Sequence, residues 1–138
     1  MLLSDKAYRV NPHKLTEAIK TKLEAEKISM PENGDLIKTG SGRQYNPQNS
    51  DWFVTRMASI LRQAACKGTI SLTGLSYRYG VRKNRGVRPT KFARGSQYVI
   101  SKAIENLKEL GLINFENSES IVTEKGVKMI EAILEELK

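Results

Sequence analysis

Between residues 51 and 122 the apolar side chains fall into three helix-spaced stripes followed by two short β-prone runs. That order limits the fold more than any other feature of the chain. At about 100° per residue, Phe53, Val54, Met57, Ile60, Leu61 and Ala64 gather on one side of a helix. Ser50 or Asp51 can cap its start, and Gly68 stops it after Lys67. Thr55, Ser59, Arg62 and Cys66 lie opposite, and Trp52, Arg56, Gln63 and Lys67 line one flank. Ser71 caps a short helix whose Leu72, Leu75 and Tyr79 share a face, with Gly80 at its end. Ser96 caps a longer one carrying Val99, Ile100, Ala103, Ile104, Leu107 and Leu110, stopped at Gly111. Residues 112–115 and 120–122 favour strands, separated by the turn-like Glu116-Asn117-Ser118-Glu119. Helix, helix, helix, hairpin is the order of a winged helix.

The flanks add one helix each. Asn11-Pro12 is an N-cap followed by proline at the first helical position, and Leu15, Ala18, Ile19 and Leu23 then form a stripe. Thr123 caps a last helix with Val127, Ile130, Ile133, Leu134 and Leu137. Residues 30–49 are punctuated by Pro31, Gly34, Gly40, Gly42 and Pro47 and read as mostly loop. Residues 80–95, with three glycines, one proline and no apolar periodicity, read as a basic loop. With no internal repeat or long linker, 1–138 is expected to be a single domain. Its class is mainly α: a winged-helix-like core of three helices plus a short β-hairpin over about 51–122, with an additional helix at each end.

The charge is unevenly placed. Residues 1–95 hold 18 basic and 7 acidic side chains, whereas residues 96–138 hold 5 and 8. Between Asp51 and Glu105 there is no carboxylate, although eleven Lys or Arg occur there. A solvated surface mixes both signs, since uncompensated like charge repels itself in the compact state, so this stretch is suited to a polyanion. No apolar run approaches the ~20 residues that span a bilayer, and the start has no secretory apolar stretch. Cys66 is the only cysteine, which excludes an internal disulfide and fits a soluble intracellular protein.

Within the basic stretch, Arg82, Lys83, Arg85, Arg88, Lys91 and Arg94 recur mostly every two or three residues, a spacing at which an extended chain follows phosphates. Phe92 is placed either to stack on an unpaired base or to anchor the loop to the core. Arg56 is expected to fork onto phosphates, to lie against Trp52 one turn earlier, or both. For Arg62 the choice is phosphate or an internal bond to a carbonyl or carboxylate. Trp52 itself is assigned to the core, with a base-stacking platform as the alternative. The helix from Ser96 exposes Gln97, Tyr98, Ser101 and Lys102 at its start and Glu105 and Glu109 further on, while Glu116 and Glu119 occupy the hairpin turn. Those carboxylates oppose a duplex-DNA reader of the winged-helix type. Catalysis is disfavoured: one histidine, His13, and one cysteine make neither a zinc cluster nor a nucleophilic triad, and no phosphate-cradling glycine motif occurs. No cofactor or metal is expected. A regulator of transcription, or a protein-interaction module using the acidic last helix, remains as an alternative reading.

The run from Asp51 to Arg62, DWFVTRMASILR, resembles the tryptophan-led helix of ribosomal protein nineteen of the small subunit, the e-type family of archaea and eukaryotes. Tyr79 to Gly86, followed by Pro89, Phe92, Arg94, Gly95 and Ser96, is similar to that family's basic loop and the start of its next helix. Thr123-Glu124-Lys125-Gly126 matches the turn into its last helix, whereas Ser101 and Glu105 depart from its basic and glutamine positions. The resemblance runs from about Pro31 to the end. It implies a mostly helical, winged-helix-like constituent of the cytoplasmic ribosome without enzymatic activity. The implied partners are the 3′ major domain of small-subunit ribosomal RNA, in the head, and neighbouring ribosomal proteins, with no membrane or small-molecule substrate. It also implies a need for the protein when the subunit is assembled and matures. The RNA-binding set is then Arg56, Arg62, Lys67, Arg82, Lys83, Arg85, Arg88, Lys91, Arg94, Ser96 and Lys102, with Trp52, Ala58 and Gly95 holding the fold.

Overall fold

The computed structural model describes residues 3–26, 37–116 and 119–137. Helices α1 (Leu3–Arg9) and α2 (Pro12–Glu24) precede the central α3 (Trp52–Lys67). Strand β1 (Thr69–Ser71), helix α4 (Leu72–Arg78), the hairpin β2 (Val81–Arg85) and β3 (Arg88–Ala93), and helix α5 (Gln97–Glu109) follow. Strands β4 (Ile113–Glu116) and β5 (Glu119–Val122) and helix α6 (Glu124–Glu136) complete the order. The class is mainly α, as expected, but two helices rather than one lie ahead of α3. Helix α1 has a single described core residue, Ala7, so it offers no stripe to read.

Most caps fall where local chemistry places them. Asn11 Oδ1 accepts from the His13 amide, Ser71 Oγ from Gly74, Ser96 Oγ from Val99 and Thr123 Oγ1 from Gly126, each offsetting an orphan amide of a first turn. Asp51 occupies the N-cap position of α3 but makes no capping bond. Its carboxylate is taken instead by Lys20 of α2, and that hydrogen bond holds the Asp51 pKa below the ordinary carboxylate value and the Lys20 pKa above its own. Gly68, with φ of +83°, ends α3.

Helix α3 is the axis of the core, packed against α1, α2, α5, β1 and β5. Phe53, Met57, Ile60 and Leu61 are fully buried with Leu15, Ile19 and Leu23 of α2, Ile100 and Leu107 of α5, and Ile130 and Ile133 of α6. Burying these aliphatic side chains stabilises the fold by about 1.5–3 kcal/mol each before entropic costs. Because neighbours surround it, α3 buries more than one stripe: Cys66 and Gln63, expected on polar faces, are also inside. Burial pushes the Cys66 thiol above its ordinary pKa, against the nearby Arg62 and Lys67.

A three-stranded antiparallel sheet in the order β1-β5-β4 closes one side. The β4–β5 hairpin was expected; β1, three residues paired Thr69 to Ile121 and Ser71 to Glu119, was not. Residues 117–118 of the expected turn, and 30–36 of the expected loop, lie outside the described residues. Gly126 closes the junction with α6, where a β-carbon would stand 2.7 Å from the Leu112 carbonyl oxygen.

The segment read as a basic loop is a two-stranded hairpin. Val81 pairs with Ala93, Arg82 with Phe92, Lys83 with Lys91 and Arg85 with Arg88, with an irregularity between Lys83 and Arg85. Gly86, at φ +75°, makes the turn, and Asn84 Oδ1 accepts from its amide. Every side chain from Arg82 to Phe92 is exposed, so no buried face exists to impose the alternation by which strands are recognised.

Candidate nucleic-acid interface

The β2–β3 hairpin is an arm whose root is clamped and whose length is free. At the root, a β-carbon on Gly80 would collide with the Phe92 ring and stand 2.7 Å from the Ala93 carbonyl oxygen. Gly95 donates its amide to Ser76 O at 2.7 Å, Ser96 donates to Thr39 O at 2.8 Å, and Gly40 bridges Gly95. Phe92 stacks on Tyr77 with ring centroids 6.2 Å apart, and the Arg94 guanidinium lies 5.4 Å from the Tyr77 centroid. Phe92 is not part of the core, as one of its two expected roles required; it lies against the surface ring of Tyr77 and stays 48% exposed.

Along the arm, backbone pairing sets like charges opposite one another: Lys83 faces Lys91, and Arg85 faces Arg88. Such pairs are unfavourable in an isolated sheet. Arg82 donates from Nη2 to Thr90 Oγ1 at 2.9 Å and Arg85 from Nε to Pro89 O at 2.8 Å. These bonds orient the guanidinium groups without neutralising them. Among the described residues, every ion pair lies elsewhere: His13 with Glu17, Lys20 with Asp51, Lys22 with Glu136 and Lys102 with Glu105. Five arm cations, with Arg94 following at the root, thus have no carboxylate partner among the described residues.

At the foot of the arm, Tyr79 gathers a second group. Its hydroxyl lies 2.7 Å from Ser59 Oγ, and the Arg56 guanidinium stacks on its ring at 4.0 Å. Arg56 was expected against Trp52, four residues back on the same helix. The tertiary partner wins because Trp52 instead turns its ring edge-on to Phe53, at 5.7 Å, and packs against the core. Burial, reinforced by Arg43, pushes the Arg56 pKa below its ordinary value, while Tyr79 opposes the shift; an arginine so placed stays cationic. Burial raises the Tyr79 pKa, against the Ser59 hydrogen bond and the nearby arginines.

Arg62 takes the internal option in part. With its amide oxygen turned toward the two guanidinium groups, Gln63 accepts from Arg62 Nη1 and Arg78 Nη2, each at 3.1 Å. Arg56 Nη1 and Arg62 Nε are buried without a hydrogen-bond partner. The remaining expected residues are more dispersed. Lys67 is exposed at the end of α3, Ser96 uses its hydroxyl to cap α5, and Lys102 pairs with Glu105 at 3.5 Å while facing the Tyr98 ring. Arg43, Tyr45, Tyr77 and Arg78 join the basic surface although nothing in the sequence marked them: each is a single residue in an irregular segment or a short helix. The described residues contain no group of side chains able to hold a metal ion, and no helix among them is long and apolar enough to cross a membrane.

The family model of ribosomal protein S19e matches residues 6–138. The chain belongs to the ribosomal protein S19e family. Among curated relatives, it is 40% identical over 132 residues to a small ribosomal subunit protein eS19 of Encephalitozoon cuniculi, covering 95% of this chain and 96% of the relative. It is 29% identical to an eS19 of Oryza sativa subsp. japonica, over 90% of this chain and 86% of that protein. With the eS19G of Ascaris suum it shares 30% over 94% and 89%. As an S19e protein it is a structural ribosomal protein of the cytoplasmic ribosome, not an enzyme.

Proposed function

We propose that this S19e protein is a structural constituent of the small ribosomal subunit that binds ribosomal RNA through the β2–β3 arm and the basic cluster at its foot. The observation that carries this reading is the arm: five cations with Arg94 following at its root, two like-charged cross-strand pairs and no carboxylate partner among the described residues. A polyanion laid along it converts mutual repulsion into attraction by replacing condensed counterions with fixed cations, so the contact weakens with salt. Most contacts would go to phosphate and ribose, because the deep, narrow groove of A-form RNA hides its base edges from side chains. Arg82, Lys83, Arg85, Arg88, Lys91 and Arg94 form the primary set. Arg56, Arg62 and Lys67 lie behind them, and Ser96 and Lys102 serve the root and α5.

The names of the relatives support the small subunit as the site of assembly. The motif resemblance supports the finer placement in the head, on the 3′ major domain beside other ribosomal proteins, and a role in subunit maturation. Helices α3, α4 and α5 with the β1-β5-β4 sheet support a winged-helix unit inside one domain. A DNA-reading use of that unit is disfavoured by α5, whose one basic residue near the N-terminus, Lys102, is engaged by Glu105. The test is Arg85→Glu with Arg88→Glu in the full chain. It should leave the thermal melt by circular dichroism within a few degrees of the parent and abolish co-sedimentation with small subunits. Normal incorporation would refute the arm as the RNA contact.

A further inference from the structure

Beside the arm lies a cavity of about 600 Å³, between the irregular segment 39–49 and the first two turns of α3. Its size falls in the range of about 300–1,000 Å³ that accommodates small organic ligands. Arg43, Tyr45, Trp52, Arg56 and Tyr79 contribute to its walls, and no described residue lining it is acidic. The Arg56 guanidinium lies 4.0 Å over the ring of Tyr79, which is itself held by Ser59, and it takes part in no ion pair among the described residues. Arg43 is exposed and takes part in none of the ion pairs among the described residues. Tyr45 is 73% exposed, its hydroxyl contacted only at 3.4 Å by the Gln44 side chain. The cavity therefore joins two unpaired guanidinium groups to a free aromatic face, with the amide side chains of Gln48 and Asn49 on its rim.

We propose that this cavity receives one unpaired nucleotide extruded from the bound RNA, its phosphate on Arg43 and Arg56 and its base against Tyr45. The proposal rests on the RNA-binding reading of the arm and adds a second, chemically different contact to it. An acidic peptide would be satisfied by the arginines alone. The exposed ring and the amide edges fit a base, whose flat face stacks and whose polar edge accepts and donates. Such a pocket also supplies what the arm lacks, since phosphate contacts position a protein on RNA without identifying the site.

Trp52 is the only tryptophan and lines the cavity, so its fluorescence reports occupancy directly. The full chain is titrated with two RNA hairpins that differ only by a single bulged nucleotide. The bulged hairpin should bind about tenfold more tightly, the order expected for one stacked base, and it alone should change the Trp52 emission. Tyr45→Ala should erase that preference while leaving the circular dichroism melt unchanged. Arg43→Gln should reduce the preference in the same direction. Equal affinities with a silent Trp52 would overturn the proposal, as would an emission change produced by a decaglutamate peptide instead. Arg85→Glu with Arg88→Glu should weaken both hairpins by the same factor and keep the preference. Failure of that double variant to weaken either hairpin would count against the arm, whereas the cavity is judged on the preference alone.

Discussion

Two antiparallel hairpins, β2–β3 and β4–β5, are of similar length in this protein and are held by opposite means. The second is stitched to β1 on one edge, and its Ile113 is buried in the common core, so burial specifies its register. The first stands away from the body with every side chain from Arg82 to Phe92 exposed, and its cross-strand pairs include Lys83 with Lys91 and Arg85 with Arg88. Burial cannot hold it, and electrostatics oppose it. Its backbone pairing and its clamped root at Gly80 and Gly95 give it a shape. One hairpin is thus held by burial in the core, and the other is not.

That contrast can be broken by substitution. Ile113→Ala should cost about 2–5 kcal/mol of stability in urea denaturation, the range for truncating a fully buried aliphatic side chain; a loss below about 1 kcal/mol would mean that the second hairpin is not anchored as described. Lys83→Thr should act with the opposite sign. Relieving the pair with Lys91 and adding a β-branched residue should stabilise the free arm by about 0.2–1 kcal/mol, while RNA affinity falls. A destabilised free protein would show that the like-charged pair is not a cost.

Acid separates the regions as well, with the smallest effect. The arm has no carboxylate to titrate, whereas Asp51 in the body has its pKa lowered by Lys20. A depressed carboxylate contributes stability that is fully present above the unfolded value of 3.8 and is lost as pH falls through the lower folded one. Asp51→Asn should therefore flatten the fall in melting temperature below about pH 4 without changing RNA binding at neutral pH. An unchanged acid limb would remove the Lys20 link from the account.

The same contrast explains what could be read from the residues. Helices α2, α4, α5 and α6 were legible because Asn11, Ser71, Ser96 and Thr123 cap them through local bonds and their apolar stripes face one core. Helix α3 was legible by its stripe, by Gly68 and by Asp51 at its N-cap position, but Asp51 makes no capping bond, since its carboxylate goes to Lys20 in another helix. Strand β1 is too short to carry a period, helix α1 has a single described core residue, and the arm has no buried face to create one. At the site, the arm cations were visible as a run of charge. The partner of Arg56 was not, because Tyr79 lies 23 positions along the chain and only folding brings it over the guanidinium. Arg43 and Tyr45 become notable only once segment 39–49 is set against α3.

Amide hydrogen exchange, followed residue by residue on the full chain with and without small-subunit ribosomal RNA at low salt, tests the central claim most directly. In the free protein the amides paired across β2 and β3 should exchange nearly as fast as open loops, while those of β4 and β5 are protected close to the global stability. Adding RNA should protect the arm by orders of magnitude and leave β4 and β5 unchanged. An arm as well protected as β4–β5 before RNA is added, and indifferent to it afterwards, would contradict the account.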